Sequence, residues 1–145
     1  MASVGIYLNF MGEAESAFNL YRSVFGGEFA SLQRMSEVPA DPAAPALTDR
    51  ERDMIMHVEL QIMGGTSLFG TDMLESMGHA LRQGNNITIS LNFDDLGEAT
   101  RVFSALSDGG SDVMALTHMF WGAHWGTCAD RFGIRWMFNC PDAVV

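Results

Sequence analysis

MIMHVELQI, residues 54–62, is the stretch on which the reading of the chain turns. Met54, Met56, Val58, Leu60 and Ile62 fall on one side of it, and Ile55, His57, Glu59 and Gln61 on the other. A period of two with β-branched residues predicts a strand with one face against a core. The other face carries an imidazole, a carboxylate and an amide in a row, types that suit a ligand or a metal. Antiparallel sheets often leave one face wet, so the row alone is also what a solvated surface presents. Its recurrence elsewhere in the chain favours a functional face.

Working outward from this strand, Gly64-Gly65 predicts a hairpin turn and Thr66 to Gly70 the returning strand. Upstream, Ser36 to Arg52 contains Pro39, Pro42 and Pro45 among alanines and acids and is read as a surface loop rather than a lid. Further back, a strand is expected from about Gly5 to Phe10 and another from about Glu28 to Arg34. A helix lies between them, opened by Gly12 and stopped by Gly26-Gly27, with Ala14, Ala17, Phe18, Tyr21 and Phe25 as its buried stripe. Met73 to Gln83 is linker with at most a helical turn.

From Asn85 the pattern repeats. Ile87, Ile89, Leu91 and Phe93 alternate with polar residues, and Asp95 with Glu98 forms a capping-box pattern before a helix whose stripe is Leu96, Ala99, Phe103 and Leu106. Strands follow near Asp112–Thr117, Gly126–Ala129 and Gly133–Cys140. Asn9-Phe10, Gly12-Glu13-Ala14, Phe18 and Gly26-Gly27 recur as Asn92-Phe93, Gly97-Glu98-Ala99, Phe103 and Gly109-Gly110, with only a two-residue shift. Two modules, each strand, helix and three strands, are therefore expected to share one domain over 1–145. Module one covers about 1–72, the linker about 73–84 and module two about 85–145.

The 145 residues are 48% hydrophobic and 18% charged, as in a globular domain. The net charge of −10, with no basic cluster, argues against a nucleic-acid partner. No apolar run is long enough to span a bilayer, and MASVGIYLNF lacks the basic start and apolar core of a signal peptide. With Cys128 and Cys140 in separate strands and no CxxC spacing, a cytoplasmic protein with reduced core thiols is expected.

GEAESAFNLYRSVFGGEF, IMHVEL with LFGTD, GNNITISLNF and FWGAHWGTCADRFGIRWMFNC span nearly the whole chain. In these motifs it resembles the glyoxalase/bleomycin-resistance/dioxygenase (vicinal oxygen chelate) superfamily. Within it, the resemblance is to the PhnB-like branch, which carries the label 3-demethylubiquinone 3-methyltransferase. That resemblance implies an α+β fold of two βαβββ modules, forming a curved, cup-like mixed sheet with helices on the outer face. It also implies a homodimer, and a cavity lined by the polar strand faces. Metal-using relatives place His, Glu or Gln on the first and later strands of each module and a carboxylate near the end of the last strand. Here those places hold Tyr7 and Asn9, then Asn86, Thr88 and Ser90, and at the end Met137. Only His57 and Glu59 remain as good ligands, and a catalytic divalent site needs three or more. No metal and no cofactor is therefore expected; the competing reading has His118 or His124, on loops, completing a nonstandard site.

His57 and Glu59 project from one strand face and are the candidate acid/base pair, against the plainer reading of two solvated polar groups. Phe120 to Gly126, FWGAHWG, is the most aromatic segment. Trp121 and Trp125 could wall a planar ligand or cap a core or dimer contact, with His124 between them. GxSxG, GxGxxG and GxxxxGK[ST] are absent, and nothing supports a methyltransferase that uses S-adenosylmethionine. The expected function is binding of a small molecule without a strong metal site, with Tyr7, Asn9, Gln61, Trp121, His124 and Trp125 as ligand contacts. The alternatives are a metal-dependent lyase, isomerase or dioxygenase-type enzyme using His57 and Glu59, and a ligand-free structural dimer module.

Overall fold

The computed structural model describes residues 1–144. Its contacts divide the chain into two compact units, Met1–Arg82 and Gln83–Val145. The first contains β1 (Ile6–Phe10), α1 (Ala14–Phe25), β2 (Phe29–Arg34), a four-residue helix α2 (Asp49–Arg52), β3 (Ile55–Gln61) and β4 (Ser67–Asp72). The second contains β5 (Ile89–Asn92), α3 (Leu96–Ser107), β6 (Ser111–Met119), β7 (Ala123–Ala129) and β8 (Arg135–Pro141). The sheet orders are β1-β4-β3-β2 and β5-β8-β7-β6. In each, the first and last strands of the unit run parallel while the other neighbours are antiparallel. The internal repeat is thus one topology used twice, in an α+β fold.

In the first unit α1 packs on β3 and β4. Ala14, Ala17, Phe18, Tyr21 and Val24 are buried at helical spacing, and Val24 rather than Phe25 completes the stripe. Phe18 lies edge-on to Phe10 and Tyr21. It reaches the sheet because β4 has Gly70 beneath it: a Cβ there would come within 2.4 Å of Phe18 Cε1. Arg34, at the end of β2, donates two hydrogen bonds to the Glu15 carboxylate, tying sheet to helix and holding that carboxyl below its usual range.

β3 is where the expected alternation needs correction. Gln33 faces His57, and the next residue, Arg34, faces Ile55, so Met56 is the extra residue of a β-bulge. The bulge reverses the parity. Ile55 is fully buried together with Val58 and Leu60, while Met56 is only half-buried. From His57 to Gln61 the alternation is as expected.

The segment before β3 is less loop-like than its prolines suggest. Thr48 caps α2: its hydroxyl accepts from the Glu51 N–H at 3.1 Å, and Glu51 returns a carboxylate oxygen to the Thr48 N–H at 3.0 Å. Thr48-x-x-Glu51 is the sequence signal that the prolines obscured.

In the second unit α3 packs on β6, β7 and β8 through Ala99, Val102 and Leu106, whereas Leu96 is exposed. Asp95 caps the helix, accepting from the Glu98 N–H at 3.0 Å, while the Glu98 carboxylate pairs with Arg101. β5 begins at Ile89 rather than Asn85, and Ile87 lies outside it, 80% exposed. The buried tryptophan is Trp136, whose indole N–H donates to Asp130 Oδ2 at 2.9 Å. Both cysteines are free and buried. Cys128 pairs across β8 with Trp136, and Cys140 across β7 with His124, which puts them four residues apart along the ladder, about 13 Å and beyond disulfide reach. Burial pushes the Cys128 thiol up to about 11.

Candidate functional site

The outward face of the first sheet is built from rows that the register sets. Tyr7 on β1 faces Phe69 on β4, which faces Glu59 on β3, which faces Ser31 on β2. In the neighbouring rows Asn9 faces Thr71, His57 faces Gln33, and Gln61 faces Ser67. The opposite face takes Leu8, Phe10, Val58, Leu60 and Leu68 into the core. Because the side-chain period is two, burying one set presents the other on a single surface.

That surface holds a three-ring cluster. Tyr7 and Phe69 stack at 6.3 Å between centroids with planes 10° apart, and the His57 ring lies 5.8 Å from Phe69 and 6.2 Å from Tyr7. Tyr7 is 52% exposed, an unusual degree for an aromatic residue inside a sheet. Beside the rings, Glu59 Oε2 accepts from the Ser67 hydroxyl at 2.9 Å, which fixes the carboxylate. The Gln61 amide donates to the Gly65 carbonyl at 3.3 Å, and the Thr71 hydroxyl donates to the Met56 carbonyl at 2.7 Å. The arrangement offers aromatic surface, one imidazole and one oriented carboxylate: a platform for a planar or partly apolar molecule with a polar edge. Phe69 is the contact that sequence reasoning missed. It sits in LFGTD, where no polar alternation marks it.

The remaining predicted residues lie in the second unit. His118 and His124 are on strands, not loops: they face each other across β6 and β7, because Gly122 (φ 86°) closes a tight turn between those strands. Their ring centroids are 5.0 Å apart, and His118 Nε2 is 2.9 Å from Asp142 Oδ2. Trp121 and Trp125 meet edge-on at 6.4 Å, with Trp121 53% exposed and in contact with Phe120. Trp125 faces Asn139, whose amide donates to Asn92 Oδ1 at 3.3 Å. Met137, at the place where metal-using relatives carry a carboxylate, stands between Ser90 and Thr127. Among the described residues, no three His, Cys, Asp or Glu side chains gather into a group that could hold a metal ion.

In the first unit two carboxylates that the sequence did not single out are buried for structural reasons. Asp72 Oδ1 accepts from the N–H groups of Gly12 and Ala14, and Oδ2 from that of Ile55. Glu51 accepts from Thr48 and Ser76, and these bonds, Thr48 first, hold its carboxyl below the usual range. The fold therefore favours ionised Glu51. Its contribution is complete above the ordinary carboxylate pKa, about 4.3, and disappears as pH falls through the lower folded value. Relative to the intrinsic exchange rate at each pH, protection of the Thr48 and Ser76 amides is expected to fall below that range in the wild type. In Glu51→Gln the protection should be lower at neutral pH and nearly independent of pH.

Residues 2–138 match the family described as 3-demethylubiquinone-9 3-methyltransferase. The chain belongs to that family. Protein PA1353 from Pseudomonas aeruginosa has a similar structure with a TM-score of 0.83 and 33% identity, covering 99% of this chain and 100% of that one. Protein YjdN of Escherichia coli K12 is 27% identical over 92% of this chain and 91% of its own length. A PhnB protein from Bacillus cereus shares the fold with a TM-score of 0.75 at 21% identity, covering 96% and 99%. The family label that the motifs pointed to is thereby the right one, and the fold is the one found in the PhnB protein.

Among the described residues no helix is long and apolar enough to cross a membrane.

Proposed function

We propose that the chain binds a small, partly planar organic molecule on the outward face of its first sheet. The observation that carries this reading is the exposed ring cluster of Tyr7, His57 and Phe69 beside the oriented Glu59 carboxylate. Rings left on a surface have apolar area to cover, and the imidazole and carboxylate supply direction. Asn9 and Gln61 stand at the edges of the platform. In the second unit Trp121 and Trp125 form a separate aromatic surface, the second candidate for ligand contact, whereas His124, next to Trp125 on β7, points to the other face of the sheet and meets His118. The protein works without a resident metal or organic cofactor, in the cytoplasm and as a homodimer, and its net charge of −10 disfavours nucleic acid. Methyl transfer is not part of the reading, since a family description supplies no cofactor site and the two four-stranded sheets are not the doubly wound sheet of nucleotide-binding folds.

The competing reading is a metal-dependent lyase, isomerase or dioxygenase-type enzyme. It is favoured by one feature, the placement of His57 and Glu59 on the same strand face. The two readings separate on protein purified without chelator or affinity-tag metal. Binding alone predicts no stoichiometric divalent ion, and aromatic fragments that shift the NMR signals of Tyr7, His57 and Phe69. Stoichiometric metal that is lost in His57→Ala would carry the enzyme reading instead.

His57→Ala also tests the assignment of the face. It removes ring contacts at a half-buried position, so a stability loss of about 0.5–1 kcal/mol is expected in urea denaturation. A loss of several kcal/mol would place His57 in the core.

A further inference from the structure

We infer a second ligand site in the first unit, a groove of about 780 Å³ that takes a small amphipathic carboxylate through Arg50. The groove lies between the segment around α2 and the turn that follows β4, and its walls include Met11, Met54, Met73 and Leu81 together with Arg50 and His79. It is distinct from the ring cluster, none of whose residues lines it.

Arg50 is the arginine in the wall of this groove. The chain has 18 acidic residues against eight basic ones, and all eight are arginines. Six of them, Arg22, Arg34, Arg52, Arg101, Arg131 and Arg135, pair with carboxylates. Among the described residues neither Arg50 nor Arg82 has such a partner, and of the two only Arg50 lines the groove, although its neighbours are Asp49 and Glu51. Glu51 also lines the groove, but its two oxygens are engaged by the Thr48 and Ser76 N–H groups. Gly12, at φ 103°, makes room for the guanidinium: a Cβ there would lie 3.0 Å from Arg50 Nη2. An unpaired guanidinium in an acidic protein is a fork of donors suited to a carboxylate.

His79 adds a second donor. Its Nδ1 accepts from the Leu74 N–H at 2.9 Å, so in the neutral ring the proton sits on Nε2, which has no partner among the described residues. The three methionines and Leu81 supply adaptable apolar wall for an aliphatic or aromatic body. Glu51 and Glu75 set the limit on charge, because two carboxylates in the same groove oppose a dianion such as a phosphate ester. A monocarboxylate with an apolar tail satisfies all three features.

Sodium octanoate is the probe, titrated against the full chain and followed by two-dimensional NMR. Saturable binding in the millimolar range or tighter is expected, with shifts at Met54, Met73 and His79. Arg50→Gln, at an exposed position, should leave the melting temperature nearly unchanged and weaken octanoate by about tenfold or more. Octan-1-ol should bind the wild type correspondingly more weakly. Tyr7→Ala should bind octanoate as the wild type does, which separates this site from the ring cluster whether or not that cluster binds anything. No binding to wild type, equal binding to Arg50→Gln, equal binding of the alcohol, or loss in Tyr7→Ala would each overturn the assignment.

Discussion

Asp72→Ala is expected to cost the first unit about 3–5 kcal/mol, enough to abolish most of the stability of a domain this size. The carboxylate is 3% exposed and accepts three backbone hydrogen bonds, at 2.7 Å from Gly12, 3.1 Å from Ala14 and 2.9 Å from Ile55. These donors come from the entry to α1 and the first residue of β3, so one side chain at the end of β4 joins three separate pieces of chain. Alanine leaves all three N–H groups without their acceptor, and an orphaned buried donor costs about 1–3 kcal/mol. Asp72→Asn keeps Oδ1 for Gly12 and Ala14 but turns an amide N–H₂ toward Ile55, and should fall between the two. Urea denaturation followed by far-UV circular dichroism is the measurement. A loss below about 1 kcal/mol in the alanine variant would mean that water replaces the carboxylate and that Asp72 is not the junction described.

Val58→Asp is expected to be at least as damaging, at about 4 kcal/mol or more, and to prevent cooperative folding of the first unit. Val58 is fully buried on β3, paired with Leu32 on one side and Gly70 on the other. A carboxylate there would enter the layer between sheet and α1, where the Phe18 ring already fills the space above Gly70. It would find no hydrogen-bond donor made for it. The adjacent residues of the same strand give the contrast, since Glu59 and His57 point to the outward face and tolerate truncation. If Val58→Asp melts like the wild type while His57→Ala unfolds, the register of β3 assigned here is inverted.

How much of this was legible in advance depended on whether the signal was local. The alternation in β3 and the stripe Ala14, Ala17, Phe18, Tyr21 are periodicities within single elements, and they appear in the structure at nearly the expected positions. The repeat of Gly12-Glu13-Ala14 as Gly97-Glu98-Ala99 was equally plain, and it corresponds to one sheet order used twice. Ile55 falls on the wrong face by alternation alone because a bulge is a mismatch between two strands, and neither strand shows it alone. His118 and His124 read as loop residues in sequence because the aromatic run between them hides a tight turn at Gly122.

The candidate site divides along the same line. His57 and Glu59 were visible as polar residues on an alternating strand. Phe69 was not, since only the parallel pairing of β1 with β4 sets it against Tyr7. Arg50 lies in a segment that reads as a surface loop, and only the tertiary structure shows that six other arginines pair with carboxylates while Arg50 stands in a groove without one.

By itself, then, the sequence determined the kind of most elements, the duplication and the family, because hydrophobic period, capping residues and motif repeats are properties of neighbouring residues. The tertiary structure decided which side chains meet: the Tyr7–Phe69–His57 cluster, the three donors on Asp72 and the groove around Arg50. Those contacts join positions up to 62 residues apart, and strand order, register and bulges, which bring them together, are chosen by the packing of the whole unit.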